Sequence, residues 1–155
     1  MEIEALEGNI DVFVEPISGL LNKGENFIDL STSLYPAFYN KKELKDAINA
    51  CVKKVTKIRI LLDKNANINT LKKEVSWIFD LHDKNPKKIE IAKAVNDVEH
   101  WILVDEKYFR IEAKHKHVDE EVPALKNLII SKPPQIIAKA FIRQFNYWWD
   151  LAQKG

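Results

Sequence analysis

The sequence predicts a single α/β domain, with a mixed, largely parallel β-sheet and helices on both faces. Three observations carry that expectation. Two β-forming runs, Phe27–Ser31 and Ile58–Leu62, bracket one strongly amphipathic segment, the strand, helix, strand order that a parallel pair requires. Ile58-Arg59-Ile60-Leu61-Leu62 is nearly continuous in apolar residues, as strands covered on both faces are. Trp101–Val104 and Tyr108–Ile111 flank Asp105-Glu106-Lys107, the spacing of a tight hairpin, which adds antiparallel pairing.

The elements follow in order. Ile10, Phe13, Val14, Ile17, Leu20 and Leu21 recur at helical spacing, with Pro16 expected to start or break the helix, so residues 1–24 are predicted as an N-terminal helical segment. Phe27–Ser31 is a strand, and Ser33-Leu34-Tyr35-Pro36 the loop that ends it. Asn40 is the expected cap of a long helix whose apolar stripe is Leu44, Ala47, Ile48, Cys51, Val52 and Val55. After the strand that ends in Asp63, a second helix is predicted from Asn69 or Thr70. It turns Leu71, Val75, Ile78, Phe79 and Leu81 inward and closes at Asn85-Pro86. Lys88–Ala92 is a third strand. Between Lys114 and Ser131 the pattern is irregular, and Leu125, Leu128, Ile129 and Ile130 suggest a short helix or edge element. Pro133-Pro134 lead into a last helix, residues 135–153, with Ile137, Phe141, Phe145, Trp148 and Leu151 on the face toward the sheet and Trp149 turned about 100° further round.

Composition narrows the function. A chain of 155 residues, 46% apolar and 30% charged, has the size of one domain, 1–155, and the composition of a folded one. Its 24 basic and 23 acidic residues leave a formal charge of +1, which excludes a surface built throughout to attract nucleic acid or anionic lipid but permits a local basic patch. Cys51, the single cysteine, lies in an apolar stripe as core filler, and a chain without an internal disulfide fits a reducing compartment. Glu2, Glu4 and Glu7 stand where a signal peptide would carry positive charge, and the apolar runs are too short for a bilayer. A cytoplasmic location, no membrane association and no cofactor are therefore expected.

Two stretches carry a resemblance. Phe27–Asp63 reads FIDLSTSLYPAFYNKKELKDAINACVKKVTKIRILLD and Val98–Glu112 reads VEHWILVDEKYFRIE. In their order along the chain these resemble the phospholipase D superfamily, and the likeness covers nearly the whole sequence. In that family the second stretch holds a His-x-Lys pair, an Asp shortly after the Lys, and a downstream Gly-Ser-x-Asn. Aligned on Ile102-Leu103-Val104-Asp105, the family Asp falls on Asp105, its nucleophilic His on Val98 and its Lys on His100, while Glu112-Ala113-Lys114-His115 stands where Gly-Ser-x-Asn would be. The resemblance thus implies a phospholipase D-like half whose reactive pair is replaced: a degenerate, non-catalytic domain. Phosphohistidine chemistry needs an imidazole nucleophile, which valine cannot supply. Single-motif members of the family complete their site by dimerising, so the resemblance also implies a homodimer or protein partner recognised at the vestigial active-site face, or an anionic ligand held there.

Individual residues are weighed on the same terms. His100 and Asp105 are the catalytic candidates of a rival reading, a phosphodiesterase or nuclease working with or without a metal, although a lone histidine is usually structural. Lys107, Arg110 and Glu112 form a charged set with Asp105, in which Arg110 is expected to pair with Glu112 or Asp105 beside a dimer interface, or else to lie on a solvated hairpin. His115, His117 and Asp119 share one side of an extended chain and are the metal candidates, against the plainer reading of a charged loop. His82 is read as capping the end of its helix. Phe145, Tyr147, Trp148 and Trp149 form an aromatic end that is either core plus rim or a ligand or partner surface. With the lysines at 41, 42, 45, 53, 54 and 57, these aromatics support a third reading, a nucleic-acid-binding module, beside the regulator-associated module that the resemblance implies.

Overall fold

The computed structural model describes residues 1–113 and 125–154. Seven strands, β1 (Glu2–Gly8), β2 (Phe27–Thr32), β3 (Lys57–Leu62), β4 (Ile89–Lys93), β5 (Trp101–Val104), β6 (Tyr108–Glu112) and β7 (Leu125–Ser131), form one sheet. Their order is β1-β7-β6-β5-β2-β3-β4. Helices α1 (Ile10–Asn22), α2 (Pro36–Tyr39), α3 (Lys42–Lys54), α4 (Ile68–Glu74) and α5 (Ser76–Lys84) supply one core cluster, and α6 (Gln135–Lys154) the other. Helices thus cover both faces, as expected.

Only β2 with β3 and β3 with β4 pair in parallel; the remaining four pairings are antiparallel. The sheet is mixed but not largely parallel. The difference comes from two strands without a strong sequence signature. Residues 2–8, expected within a helical segment, form edge strand β1, in which Glu2 and Glu4 alternate with Ile3 and Ala5, and most of the strand is exposed. Acidic side chains on an exposed edge hinder pairing with another chain. Leu125–Ser131, read as a short helix or edge element, is an interior strand between β1 and β6. Its buried Leu125, Asn127 and Ile129 alternate with exposed Lys126 and Leu128, a period of two that buried Asn127 obscures.

Three helices also differ in detail. α1 runs through Pro16 unbroken; proline removes one backbone donor, and the burial of Phe13, Ile17, Leu20 and Leu21 holds the helix on both sides of it. The cap of α3 is Lys41, not Asn40. Asn40 instead donates to the Glu74 carbonyl (2.8 Å) and accepts from the Trp77 indole (3.1 Å), tying α2 to the next helical layer. The predicted helix over 69–85 is two helices, capped first by Asn67 and broken at fully buried Val75.

The sheet separates the cores. Ile28, Leu30, Ile58, Ile60, Leu62, Ile102 and Val104 face α1, α3, α4 and α5. Leu61, Trp101, Leu103, Phe109 and Ile130 face α6, which answers with Ala138, Phe145 and Trp149. Cys51 lies in the first core, fully buried, its thiol donating to the Leu21 carbonyl and pushed up to about 11 by burial. On the α6 side buried Asp29 receives a two-point contact from Arg59 (2.8 and 2.9 Å), and Arg59 also donates to Asn146 (2.7 Å). Its guanidinium lies over the rings of Phe145 and Trp149, 5.0 and 5.4 Å from their centroids. Burial, offset by that guanidinium, raises the Asp29 carboxyl above its ordinary range.

The hairpin between β5 and β6 is fastened by Asp105. This buried residue adopts the left-handed backbone (φ 55°) and its carboxylate accepts three backbone N–H bonds, from Glu25 (3.0 Å), Asn26 (2.9 Å) and Phe27 (2.9 Å). Those are the residues leading into β2, so one side chain joins the hairpin turn to the start of the parallel unit. Asp105→Ala leaves these donors unanswered and places a Cβ-bearing residue without a local acceptor at positive φ. It is expected to lower the unfolding free energy by about 3 kcal/mol, measured as a shift of the urea midpoint, with Asp105→Asn losing less.

Candidate functional site

The candidate site lies at the end of the sheet opposite Asp105, outside the C-terminal ends of parallel β2 and β3. Ligands of open α/β sheets bind at such carboxyl ends, where strand order and direction change, and here parallel β3 and antiparallel β5 flank β2. A small cleft of about 50 Å³ opens there, with Thr32, Ser33, Tyr39, His100, Arg110 and Glu112 among its walls.

Local structure places each of them. β2 ends in Thr32, whose hydroxyl accepts from the Leu34 amide (2.9 Å) and lies 3.4 Å from the Tyr39 hydroxyl. Leu34 is held at φ 55° with its side chain buried. Left-handed backbone at a β-carbon-bearing residue costs on the order of 1 kcal/mol, sustained here by that burial and the threonine bond. The β5 lead-in is fixed by Ser31, which donates to the Glu99 carbonyl (2.5 Å) and accepts from the Trp101 amide (2.9 Å). His100 therefore enters the cleft immediately before β5, beside Asp63 at the end of β3.

Both ring nitrogens of His100 face carboxylates. Nε2 lies 2.8 and 3.0 Å from the two oxygens of Asp63, and Nδ1 lies 3.1 Å from Glu112 Oε2. Burial disfavours the charged ring, but hydrogen bonds and charge attraction from Asp63 and Glu112 overcome it and raise the pKa to about 9. At neutral pH the ring is an imidazolium with both N–H groups engaged. It then has no lone pair with which to attack phosphorus or accept a proton.

The network continues inward. Glu112 Oε1 lies 3.5 Å from Arg110 Nη2, and Arg110 Nε donates to Asn127 Oδ1 in a short bond. Arg110 and Asn127 are both buried, and Asn127 Nδ2 has no partner among the described residues. Among the described residues two cations, His100 and Arg110, thus lie against two carboxylates, Asp63 and Glu112. Neighbouring Tyr39 is also buried, which raises its phenol above the ordinary value.

Of the residues singled out from the sequence, the structure brings together His100, Arg110 and Glu112. Arg110 pairs with Glu112, one of its two expected partners; Asp105, the other, is at the far end of β5 and serves the backbone clamp. Asp105 and His100 thus lie at opposite ends of β5. Lys107 is exposed on the hairpin turn, also far from the cleft. Val98, where the resemblance implies the family nucleophile, packs against the core cluster beneath α6. Trp149, expected to turn away from the sheet, is buried on it, and Trp148 is half-buried with its ring 4.6 Å from that of Trp101. Of the face expected to meet the sheet, Phe145 is buried and Phe141 and Trp148 pack against the same core, while Ala138 and Trp149 are buried where Ile137 and Leu151 were expected. His82 contacts neighbouring Asp83 (3.4 Å), and Asn85 takes the capping role by donating to the Leu81 carbonyl (3.0 Å). His115, His117 and Asp119 lie outside the described residues.

Sequence reasoning missed Asp63, Asn127 and Tyr39 as members of the site. Asp63 carried the one usable indication, a carboxylate just beyond a buried strand. Among the described residues no group of three or more histidine, cysteine or carboxylate side chains is arranged to hold a metal ion. Asp63 and Glu112 approach different nitrogens of the His100 ring, so they do not converge on one point. No helix among the described residues is long and apolar enough to cross a membrane.

No protein-family model matches the chain, and no curated protein does. Solved structures do. TrmBL2, an archaeal chromatin protein whose structure shows a novel mode of DNA binding, is 22% identical with a TM-score of 0.71 over 98% of this chain and 53% of its own. The chain thus spans about half the length of that protein. Nuc from Salmonella typhimurium, a phospholipase D family member, is 14% identical with a TM-score of 0.66 over 97% of this chain and 96% of its own. NucT from Helicobacter pylori is 7% identical with a TM-score of 0.59 over 96% of this chain and 97% of its own. At these identities the likeness establishes the fold, which is phospholipase D-like.

The network makes stability depend on pH with a definite sign. Because the folded pKa of His100, about 9, exceeds the ordinary 6.5, its contribution is complete below pH 6.5 and is lost as pH rises through 9. Discounted for partial exposure, that loss is roughly 2 kcal/mol. Urea titrations should register it in the wild-type protein and find a flatter profile in His100→Gln over the same window.

Proposed function

We propose that this chain is a non-catalytic phospholipase D-like binding domain that engages a partner, first of all a second copy of itself, through the cleft face. The observation that carries the reading is the engagement of both His100 nitrogens by Asp63 and Glu112. A nucleophilic or general-base histidine must present a lone pair, and among the described residues the other cation lining the cleft, Arg110, is buried against Glu112 and Asn127. Val98 in the place of the family nucleophile supports the same conclusion. A cleft whose described cations are already matched has little attraction left for a phosphodiester, which favours a partner surface over a small anion.

Dimerisation rests on the resemblance: single-motif members of this family pair across the motif, and Nuc, itself a phospholipase D family member, matches this chain along nearly its full length. Association with nucleic acid is favoured by a separate observation, the likeness to about half of a DNA-binding archaeal chromatin protein. On that reading the domain is a module of a DNA-associated protein and the chemistry of the fold is no longer used. A phosphodiesterase working through His100 would require Asp63 or Glu112 to withdraw before the ring could act.

Purified protein is expected to hydrolyse bis-p-nitrophenyl phosphate no faster than buffer, with or without added divalent metal. Turnover that disappears in His100→Ala would defeat the non-catalytic reading. Sedimentation velocity is expected to find a dimer whose population falls when Glu112→Lys is introduced at the cleft; a monomer at every concentration tested removes the self-association part.

A further inference from the structure

The end of the sheet that holds Asp105 collects the connections leading into the N-terminal ends of the parallel strands, and these connections are rich in lysine. Lys23 follows α1, Lys54 ends α3, Lys57 opens β3, Lys88 precedes β4, Lys107 lies on the β5–β6 turn and Lys132 follows β7. Strand order places them in a row. Lys23, Lys54 and Lys107 line one open depression of about 560 Å³. The Lys132 amide bonds to the Lys107 carbonyl (2.6 Å), which extends the row past β6. Lys57 Nζ reaches the Lys87 carbonyl (2.8 Å) and Lys88 Nζ the Val52 carbonyl (2.5 Å), which extends it past β3. At about 4.8 Å per strand the row from β7 to β4 is about 24 Å long, the rise of roughly seven base pairs.

We infer that this lysine row is a binding surface for the phosphate backbone of nucleic acid, separate from the cleft. Part of the positive charge has a local use, since Lys54 donates to the Asn22 carbonyl at the end of α1 (2.6 Å) and basic groups at helix C-termini answer the helix dipole. Lys107 and Lys132 sit on connections without a helix end to neutralise, and Lys23 lies over the Tyr108 ring, 4.7 Å from its centroid, facing the same depression. The acidic groups here are few. Among the described residues Asp105 is buried and bonded to backbone, Glu90 pairs with Lys57 (3.5 Å) and Asp83 contacts His82 (3.4 Å), while exposed Glu2 and Glu106 remain with Glu25, which lines the depression itself. The chain as a whole is nearly neutral at +1, so this concentration is local. It revises the expectation of one basic helix surface: Lys41 and Lys42 are at the opposite end of α3 and are paired with Asp11 (2.9 Å) and Asp46 (2.7 Å).

Electrostatic contact with a phosphate backbone has a diagnostic dependence on salt, because each neutralised phosphate releases counterions. Fluorescence anisotropy with a short labelled duplex is expected to find binding at low ionic strength that weakens linearly in log–log form as salt is added. The triple variant Lys23→Gln, Lys54→Gln, Lys107→Gln is expected to bind roughly tenfold or more weakly and to reduce the salt slope by about three. Lys41→Gln with Lys42→Gln, at the far end of α3, is expected to leave binding unchanged. No binding of the duplex at low salt overturns the inference, as does equal loss in the two lysine variants. Binding to phosphatidylserine vesicles without binding to the duplex overturns it as well, in favour of a membrane surface.

Discussion

The register of β5 against β2 is the constraint from which the rest follows. Ser31 opposite Trp101 and Ile28 opposite Val104 place an antiparallel strand beside the first parallel one, and a slip of one residue would turn Trp101 and Leu103 from the α6 core to the other face. Asp105 secures that register at one end by accepting the three amides that lead into β2. Ser31 secures it at the other by bonding both the Glu99 carbonyl and the Trp101 amide. With both ends fixed, His100 has one location, beside the end of β3, and Arg110 and Glu112 on the paired strand arrive on the same side of the sheet.

The two ends of the sheet then differ in kind. At the cleft, cations and carboxylates alternate within bonding distance, so the described charge is used up internally. At the clamp end, the carboxylate is spent on backbone amides, and Lys23, Lys54 and Lys107 line one open depression. A phospholipase D-like fold built for catalysis concentrates its chemistry at the cleft. In this chain the described cleft cations lie against carboxylates, and a further group of lysines gathers at the opposite end. The Arg59 arrangement beneath α6 is a third use of charge, in which a buried Asp29 and two aromatic rings hold one guanidinium and dock the last helix. It also explains why adjacent tryptophans are divided, Trp149 entering the core and Trp148 lying at its rim against Trp101.

Much of the fold was legible because its central strands carry continuous apolar runs and its long helices carry one-sided stripes. Phe27–Ser31, Ile58–Leu62 and the hairpin around Asp105 were found from apolar patterning and turn spacing alone, each strand within one residue of its observed bounds. β1 escaped because Glu2, Glu4 and Glu7 dominate an exposed edge, and β7 because buried Asn127 interrupts its apolar alternation. Without these two, the sheet reads as more parallel than it is. Within the site, His100, Arg110 and Glu112 could be singled out, since alternation along β6 puts residues 110 and 112 on one face. Their partners could not. Asp63 comes from a distant strand, and only the parallel pairing of β2 with β3 carries it to His100; the separation of His100 from Asp105 likewise follows from the length of β5, not from their closeness in sequence.

The account depends most on the protonation state of His100. Correlation of its ring nitrogens with their protons by ¹⁵N nuclear magnetic resonance near neutral pH tests this without reference to any substrate. Both nitrogens should carry slowly exchanging protons, as in an imidazolium held between Asp63 and Glu112. A neutral ring at that pH, with one nitrogen unprotonated and available, would contradict the account and return the histidine to the chemistry of its fold.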